Sequence, residues 1–227
     1  MNLFAEQITT VDSNLAHYSE DQLILIGNVV IENPMGLVKA QKAILTRDIK
    51  KTTDIEFPWI ELNEEVSLTL PNETQVKCDH LIFNHLQKKG LFTGNPQVSY
   101  EDPMGVIFAN QSQIDYSESE GHYEVTKVTL IGNVRFINHE ENQFALADQV
   151  VYLPQQQLLV MEGEKNRVLF YDKNQDMQIS AQTIHAKRDV ESKKDRVKGI
   201  GEVRCIFGPD ELQRLKAHFR KIEHVRS

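Results

Sequence analysis

Cysteine is scarce: Cys78 and Cys205 are the 2 in a chain of 227 residues. That is too few for a disulfide scaffold, and they lack the paired spacing of a metal finger. No apolar run approaches the roughly 18 residues of a membrane-spanning helix. The opening Met1 to Glu6 has neither the basic flank nor the apolar stretch of a secretory leader. The chain is therefore expected to be cytosolic or to have lost a leader or anchor. Catalytic signatures are missing too. The 8 histidines include no pair at helical i, i+4 spacing, His80 and His85 being the nearest approach. No nucleophile elbow, Walker loop or dinucleotide fingerprint occurs. Gly199-Ile200-Gly201 is a fragment of a weak glycine motif. The sequence thus calls for no catalytic residue, no metal and no cofactor. Apolar residues at 40% with 7 prolines exclude collagen and disorder.

The net charge of −8 is unevenly spread. Between Lys187 and Arg226 there are 12 Lys and Arg against 7 Asp and Glu. Lys193, Lys194, Arg196 and Lys198 form a cluster able to meet phosphate on a lipid, a sugar or a nucleic acid. A solvated loop is the alternative reading. Aromatic residues are not interleaved with these charges, so no stacking platform for nucleic acid is expected.

What the chain does have is an internal repeat. Leu25-Ile26-Gly27-Asn28-Val29-Val30-Ile31 returns as Leu130-Ile131-Gly132-Asn133-Val134-Arg135-Phe136, and more loosely at Gly94, Gly163 and Gly201. A second anchor follows each glycine by 13 to 18 residues: apolar, any residue, small, polar. Val38-Lys39-Ala40-Gln41, Ile107-Phe108-Ala109-Asn110, Ala145-Leu146-Ala147-Asp148, Ile179-Ser180-Ala181-Gln182 and Leu215-Lys216-Ala217-His218 are its copies. Val76-Lys77-Cys78-Asp79 belongs to a unit whose glycine has been lost. Within each unit the apolar period is two, the mark of a half-buried strand. Turn residues such as Asp102-Pro103-Met104-Gly105 and Asp172-Lys173-Asn174-Gln175 separate the anchors. A glycine inside a strand marks a bulge, and the doubled polar residues after each small one break the alternation. Both anchors should be strand corners.

The expected fold is all-β: about six stacked strand-turn-strand repeats in one domain over 1–227, roughly at 15–48, 55–87, 88–119, 125–157, 158–189 and 196–222. Leu212, Leu215, Phe219 and Ile222 have helical spacing, so the last segment reads as a strand or as a short amphipathic helix.

Gly132-Asn133-Val134, a turn, and Ala147-Asp148-Gln149-Val150-Val151-Tyr152 resemble the OstA-like repeat of the lipopolysaccharide-transport family, which includes LptA, LptC and the N-terminal domain of LptD. The resemblance spans roughly residues 15–219 and is strongest over 127–189. It implies a twisted open β-jellyroll in the periplasm, a non-enzymatic role, an apolar groove that shields lipid A acyl chains, and edge-to-edge assembly into a bridge between the two membranes. The groove would be lined by the inward set of alternate positions: Val29, Ile31, Val38, Ala40, Val76, Val98, Tyr100, Ile107, Ala109, Val134, Phe136, Ala145, Ala147, Val168, Phe170, Ile179, Ala181 and Val203. Alternation alone leaves a dry core of the same side chains equally open. Cys78 and Cys205 both fall at inward positions in units too far apart to bond.

An open stack also ends in unpaired strand edges that recruit partners. The strands near Leu15–Ile31 and near Leu215–Ile222 are the candidate contacts, either with other OstA-like transport proteins or with a second copy. Two alternatives remain from other classes: a β-solenoid scaffold without lipid, and a β-helix enzyme acting on polysaccharide. Asp79 and Asp148 are its only equivalent acids, and they lie in units that are not adjacent.

Overall fold

The computed structural model describes residues 10–33, 36–49, 57–70, 73–119, 122–188 and 195–209. Its strands, in chain order, are β1 (Thr10–Asp12), β2 (Leu15–Tyr18), β3 (Gln22–Asn33), β4 (Gly36–Thr46), β5 (Trp59–Thr69), β6 (Gln75–Asn84), β7 (Lys89–Asp102) and β8 (Gly105–Ser119). They continue as β9 (His122–Asn138), β10 (Gln143–Leu153), β11 (Leu158–Glu162), β12 (Val168–Asp172), β13 (Met177–Ala181), β14 (Thr183–Arg188), β15 (Asp195–Ile200) and β16 (Arg204–Phe207). All 16 belong to one antiparallel sheet that, among the described residues, does not close on itself. The fold is therefore all-β and open, as the repeat implies.

The strands from β3 to β10 are long and bent. From β3 to β10 the bends interrupt the ladders: the register slips between Ile26 and Val29, Asn63 and Val66, Thr93 and Val98, and Ala147 and Gln149. Beyond β10 the bend becomes a break. β10 pairs through its first half with β12 and through its second half with β11. β14 and β15 then extend one limb, β13 and β16 the other. The result is a sheet folded along a line of corners into a front limb, which includes β11, β14 and β15, and a rear limb, which includes β12, β13 and β16. Their inward faces meet.

Backbone conformation explains the Gly-Asn pair. Gly27 and Asn28 have φ of 75° and 49°, and Gly132 and Asn133 have 78° and 48°. Two successive left-handed residues turn the strand, and glycine and asparagine are the L-residues that adopt this region at least cost. The unit that lost its glycine keeps the same corner: Glu64 and Glu65 have φ of 63° and 53°. Tertiary pairing on both sides forces two poorly suited residues into the bend.

The polar residue after the small anchor braces the neighbouring corner. Gln41 accepts a hydrogen bond from the Asn28 N–H at 3.4 Å and donates to Glu65 Oε2 at 2.8 Å. Asp79 accepts from the backbone N–H of Asn95. Asp148 Oδ2 accepts from the N–H groups of Glu164, Lys165 and Asn166 at 2.8, 2.8 and 3.1 Å. The amides of Asn166 and then Lys165 do most to hold the Asp148 carboxyl below its ordinary range. The two equivalent acids, Asp79 and Asp148, are thus spent on backbone amides.

Candidate functional site

The space between the limbs is filled differently along the stack. In the N-terminal half, Leu25, Leu45, Leu62, Leu81 and Phe92 pack with Val29, Val66 and Val98, and Leu23, Phe57, Ile60 and Ile114 close around them. At the front lip of this half, the Phe83 and Tyr116 rings stack 5.1 Å apart, and His85 meets Phe83 edge-on at 4.7 Å. Buried here, Cys78 has its thiol pushed up to about 12, mainly by desolvation, with the neighbouring Asp79 charge adding to it.

Past Tyr100 the interior is no longer filled. Tyr100 packs against both core clusters, and its hydroxyl donates to Ser112 Oγ at 2.6 Å, with Ser112 fully buried. Burial raises the Tyr100 phenol well above its usual range. The ring stands as a partition. Beyond it, Ala145 and Ala147 take the positions that Val38 and Ala40 hold in the first unit, and a cavity of about 600 Å³ lies between the limbs. Ile107, Val134, Phe136, Ala145, Ala147 and Phe170 line its rear wall; Val128, Leu130, Val150, Leu159, Met161 and Ala186 line its front wall. Exposed Glu101, Asp102, Met104 and Lys187 stand at its mouth, so the cavity opens to solvent away from the corner line. It is apolar within and polar only at the rim, which suits an elongated apolar ligand held without directional contacts.

The residues expected to line a groove fall into three groups. Tyr100, Ile107, Val134, Phe136, Ala145, Ala147 and Phe170 line the cavity. Val29, Ile31, Val38, Ala40, Val76 and Val98 lie in or against the packed N-terminal core, while Ala109, Val168, Ile179 and Ala181 are buried around the cavity without being part of its wall. Val203 departs from expectation: it is 48% exposed. It sits in the broken corner between β15 and β16, after the left-handed Gly201 and Glu202, so strand alternation does not carry through to it. Cys205, expected inward, is exposed on β16, where among the described residues only β13 pairs with it. Both cysteines are free thiols.

Alternation read from the glycines captured mainly the rear limb. The front-limb half of the interior, including Leu25, Ala43, Leu62, Leu130, Val150, Met161 and Ile184, was missed. Its signal was present just before each glycine, in Leu23 and Leu25 and again in Val128 and Leu130. In the basic cluster, Arg196 and Lys198 are exposed on β15, while Lys193 and Lys194 lie outside the described residues. So does Leu215–Ile222, and with it the choice of strand or helix there. The last described strands are β15 and β16. At the opposite end β1 and β2 pair only with β3 among the described residues, and Leu15 and Tyr18 are 48% and 64% exposed.

No family model and no curated protein matches this chain. Among solved structures, it is similar to the crystal structure of LptH from Pseudomonas aeruginosa, described as the LptA-homologous periplasmic component of the conserved lipopolysaccharide transport device. The identity is 11% and the TM-score 0.47, over 60% of this chain and 95% of that one.

Proposed function

We propose that this chain is a non-enzymatic lipopolysaccharide carrier of the periplasm that shelters lipid A acyl chains in the cavity between its two limbs. The cavity itself carries the reading: about 600 Å³ of apolar space, walled by alanines and aliphatic side chains and open along one side. Each CH₂ moved out of water gains about 0.8 kcal/mol, so six methylenes supply about 5 kcal/mol before ordering costs. The Gly-Asn-Val and Ala-Asp repeat points to the same family of carriers. Edge strands at the two ends of the stack support assembly with other OstA-like proteins or with further copies, giving a bridge between membranes. Arg196 and Lys198, with Lys193 and Lys194, are the residues for phosphate contact. A scaffold without cargo is the second reading, favoured by the close packing of the N-terminal half.

A photo-crosslinking residue placed at Ile107 or Phe136, on the cavity wall, should capture purified lipopolysaccharide. The same residue at Lys77 or Ser99, on the outer side of the rear limb, should not. Equal capture at all four positions removes the carrier reading and leaves the scaffold.

A further inference from the structure

An antiparallel sheet of this kind packs one face on the core and wets the other. The rear limb obeys this only over its first half. There the two outer rows run Val30, Lys39, Ser67, Lys77, Ser99 and Glu32, Leu37, Thr69, Gln75, Glu101, polar or charged as solvent requires at every position but Val30 and Leu37. From β8 onward the outer face changes character. The ladders align Val106, Ile137, Phe144, Tyr171, Gln178 and Ile206 in one row, and Phe108, Arg135, Leu146, Leu169, Ser180 and Arg204 in a second, so that only β13 contributes an uncharged polar residue to each. Between the rows and on the opposite face lie Ile107, Phe136, Ala145 and Phe170 of the cavity wall. β8, β10 and β12 are therefore apolar on both sides, although Phe144, Leu146 and, on β16, Ile206 are 40%, 47% and 46% exposed. The arginine guanidinium of Arg135 lies 5.0 Å from the Phe108 ring centre. Neither row contains a carboxylate, in a chain whose net charge is −8.

From this surface we infer that the outer face of the rear limb, from β8 to β16, docks on an anionic lipid surface. Six strands about 4.8 Å apart and two rows about 7 Å apart make a strip of roughly 350 Å². A stable dimer buries about 800 Å² on each partner, so a second copy is the poorer occupant. Aromatic and aliphatic side chains flanked by arginine suit the zone where acyl chains meet headgroups. The absence of acids from both rows makes the match one of charge as well as polarity. Docking here would lay the wall of the cavity directly against a bilayer, yet the inference stands on the outer face alone and does not require that the cavity hold lipid.

The test is co-sedimentation of the full chain with vesicles of phosphatidylcholine containing 30% phosphatidylglycerol, against pure phosphatidylcholine, in 0.1 M salt. A cation near an anionic surface is worth about 1 kcal/mol, or roughly fivefold. The wild type should therefore favour the anionic vesicles about 25-fold, and the double variant Arg135→Gln, Arg204→Gln should abolish that preference. Leu146→Glu should cut binding to anionic vesicles at least tenfold, and Ser67→Glu, on the polar half of the same face, should leave it unchanged. Equal binding to both vesicles, or no effect of Leu146→Glu, overturns the inference. A cysteine introduced by Leu146→Cys in a Cys205→Ser background should react rapidly with a maleimide in the absence of vesicles and slowly in their presence. Protection without vesicles overturns it as well, because the face is then covered by the chain itself or by a second copy.

Discussion

Replacing Glu64 by glycine should stabilise the protein, against the ordinary expectation that glycine weakens a strand. Glu64 has φ of 63° at the corner of β5, in the place that Gly27 and Gly132 fill in their own units. Holding an L-residue there costs about 1–2 kcal/mol. Glycine removes that strain but enlarges the unfolded ensemble, which returns about 0.4–1 kcal/mol. The expected net gain is about 0.5–1 kcal/mol. In a chain of this size 1 kcal/mol moves Tm by about 2–4 °C. The opposite substitution, Gly132→Ala, must place a Cβ 2.7 Å from Asn110 Nδ2 at φ of 78°, and should cost at least 1 kcal/mol. Lys77→Gly, at an exposed strand residue, should lose about 0.5–1 kcal/mol. Urea unfolding followed by tryptophan fluorescence and by circular dichroism, with coincident transitions, gives all three values. If Glu64→Gly lowers stability in step with Lys77→Gly, the two corners are not equivalent and the repeat does not explain the bend.

Other outcomes follow from the same geometry. Asp148 has its folded-state pKa held below the ordinary 3.8, so its contribution is complete above that value and is lost as pH falls through the folded pKa. Asp148→Asn should therefore be less stable than wild type at pH 7, with the gap closing as melts are run at successively lower pH below 3.8. Cys78 is buried with its thiol near 12 and Cys205 is exposed, so a thiol reagent at pH 8 should label one site in the native protein and two in urea. Mass spectrometry after digestion assigns the native label, and modification of Cys78 first would contradict the packing. Ala147→Phe, projecting into the cavity, should abolish lipopolysaccharide capture at Phe136 while leaving Tm nearly unchanged. By contrast Ala109→Phe, at a fully buried position, should destabilise by about 1–3 kcal/mol through overpacking.

Much of the architecture could be read along the chain because it arises from local chemistry repeated. At residues 27–28 and 132–133 Gly-Asn takes the left-handed region and marks a corner, while Gly94-Asn95 falls at a register slip without left-handed backbone. The polar residue after each small one is placed to reach the amides of the next corner, as Asp148 does. Alternation then assigns side chains to the interior on either side of each corner. Where a corner was unmarked, the reading failed for the same reason: Glu64-Glu65 carries no local preference for the bend it makes, and only pairing with β4 and β6 imposes it. Val203 and Cys205 failed because alternation presumes an unbroken strand with a neighbour on each side, and the last described layer has neither.

The repeat by itself determined that strands bend, stack and share an interior. Whether that interior is solid or hollow depended on summed side-chain volume across two limbs, a quantity no single unit contains. Leu62 and Leu81 come into contact with Val66 and Val98 only once β5, β6 and β7 are stacked and folded, and they fill the first half. Ala145 and Ala147 on the rear wall and Ala186 on the front wall come to line one cavity only once β10, β11 and β14 are stacked and folded. Periodicity is written residue by residue; a cavity exists only as the difference between the space that backbones enclose and the atoms that enter it.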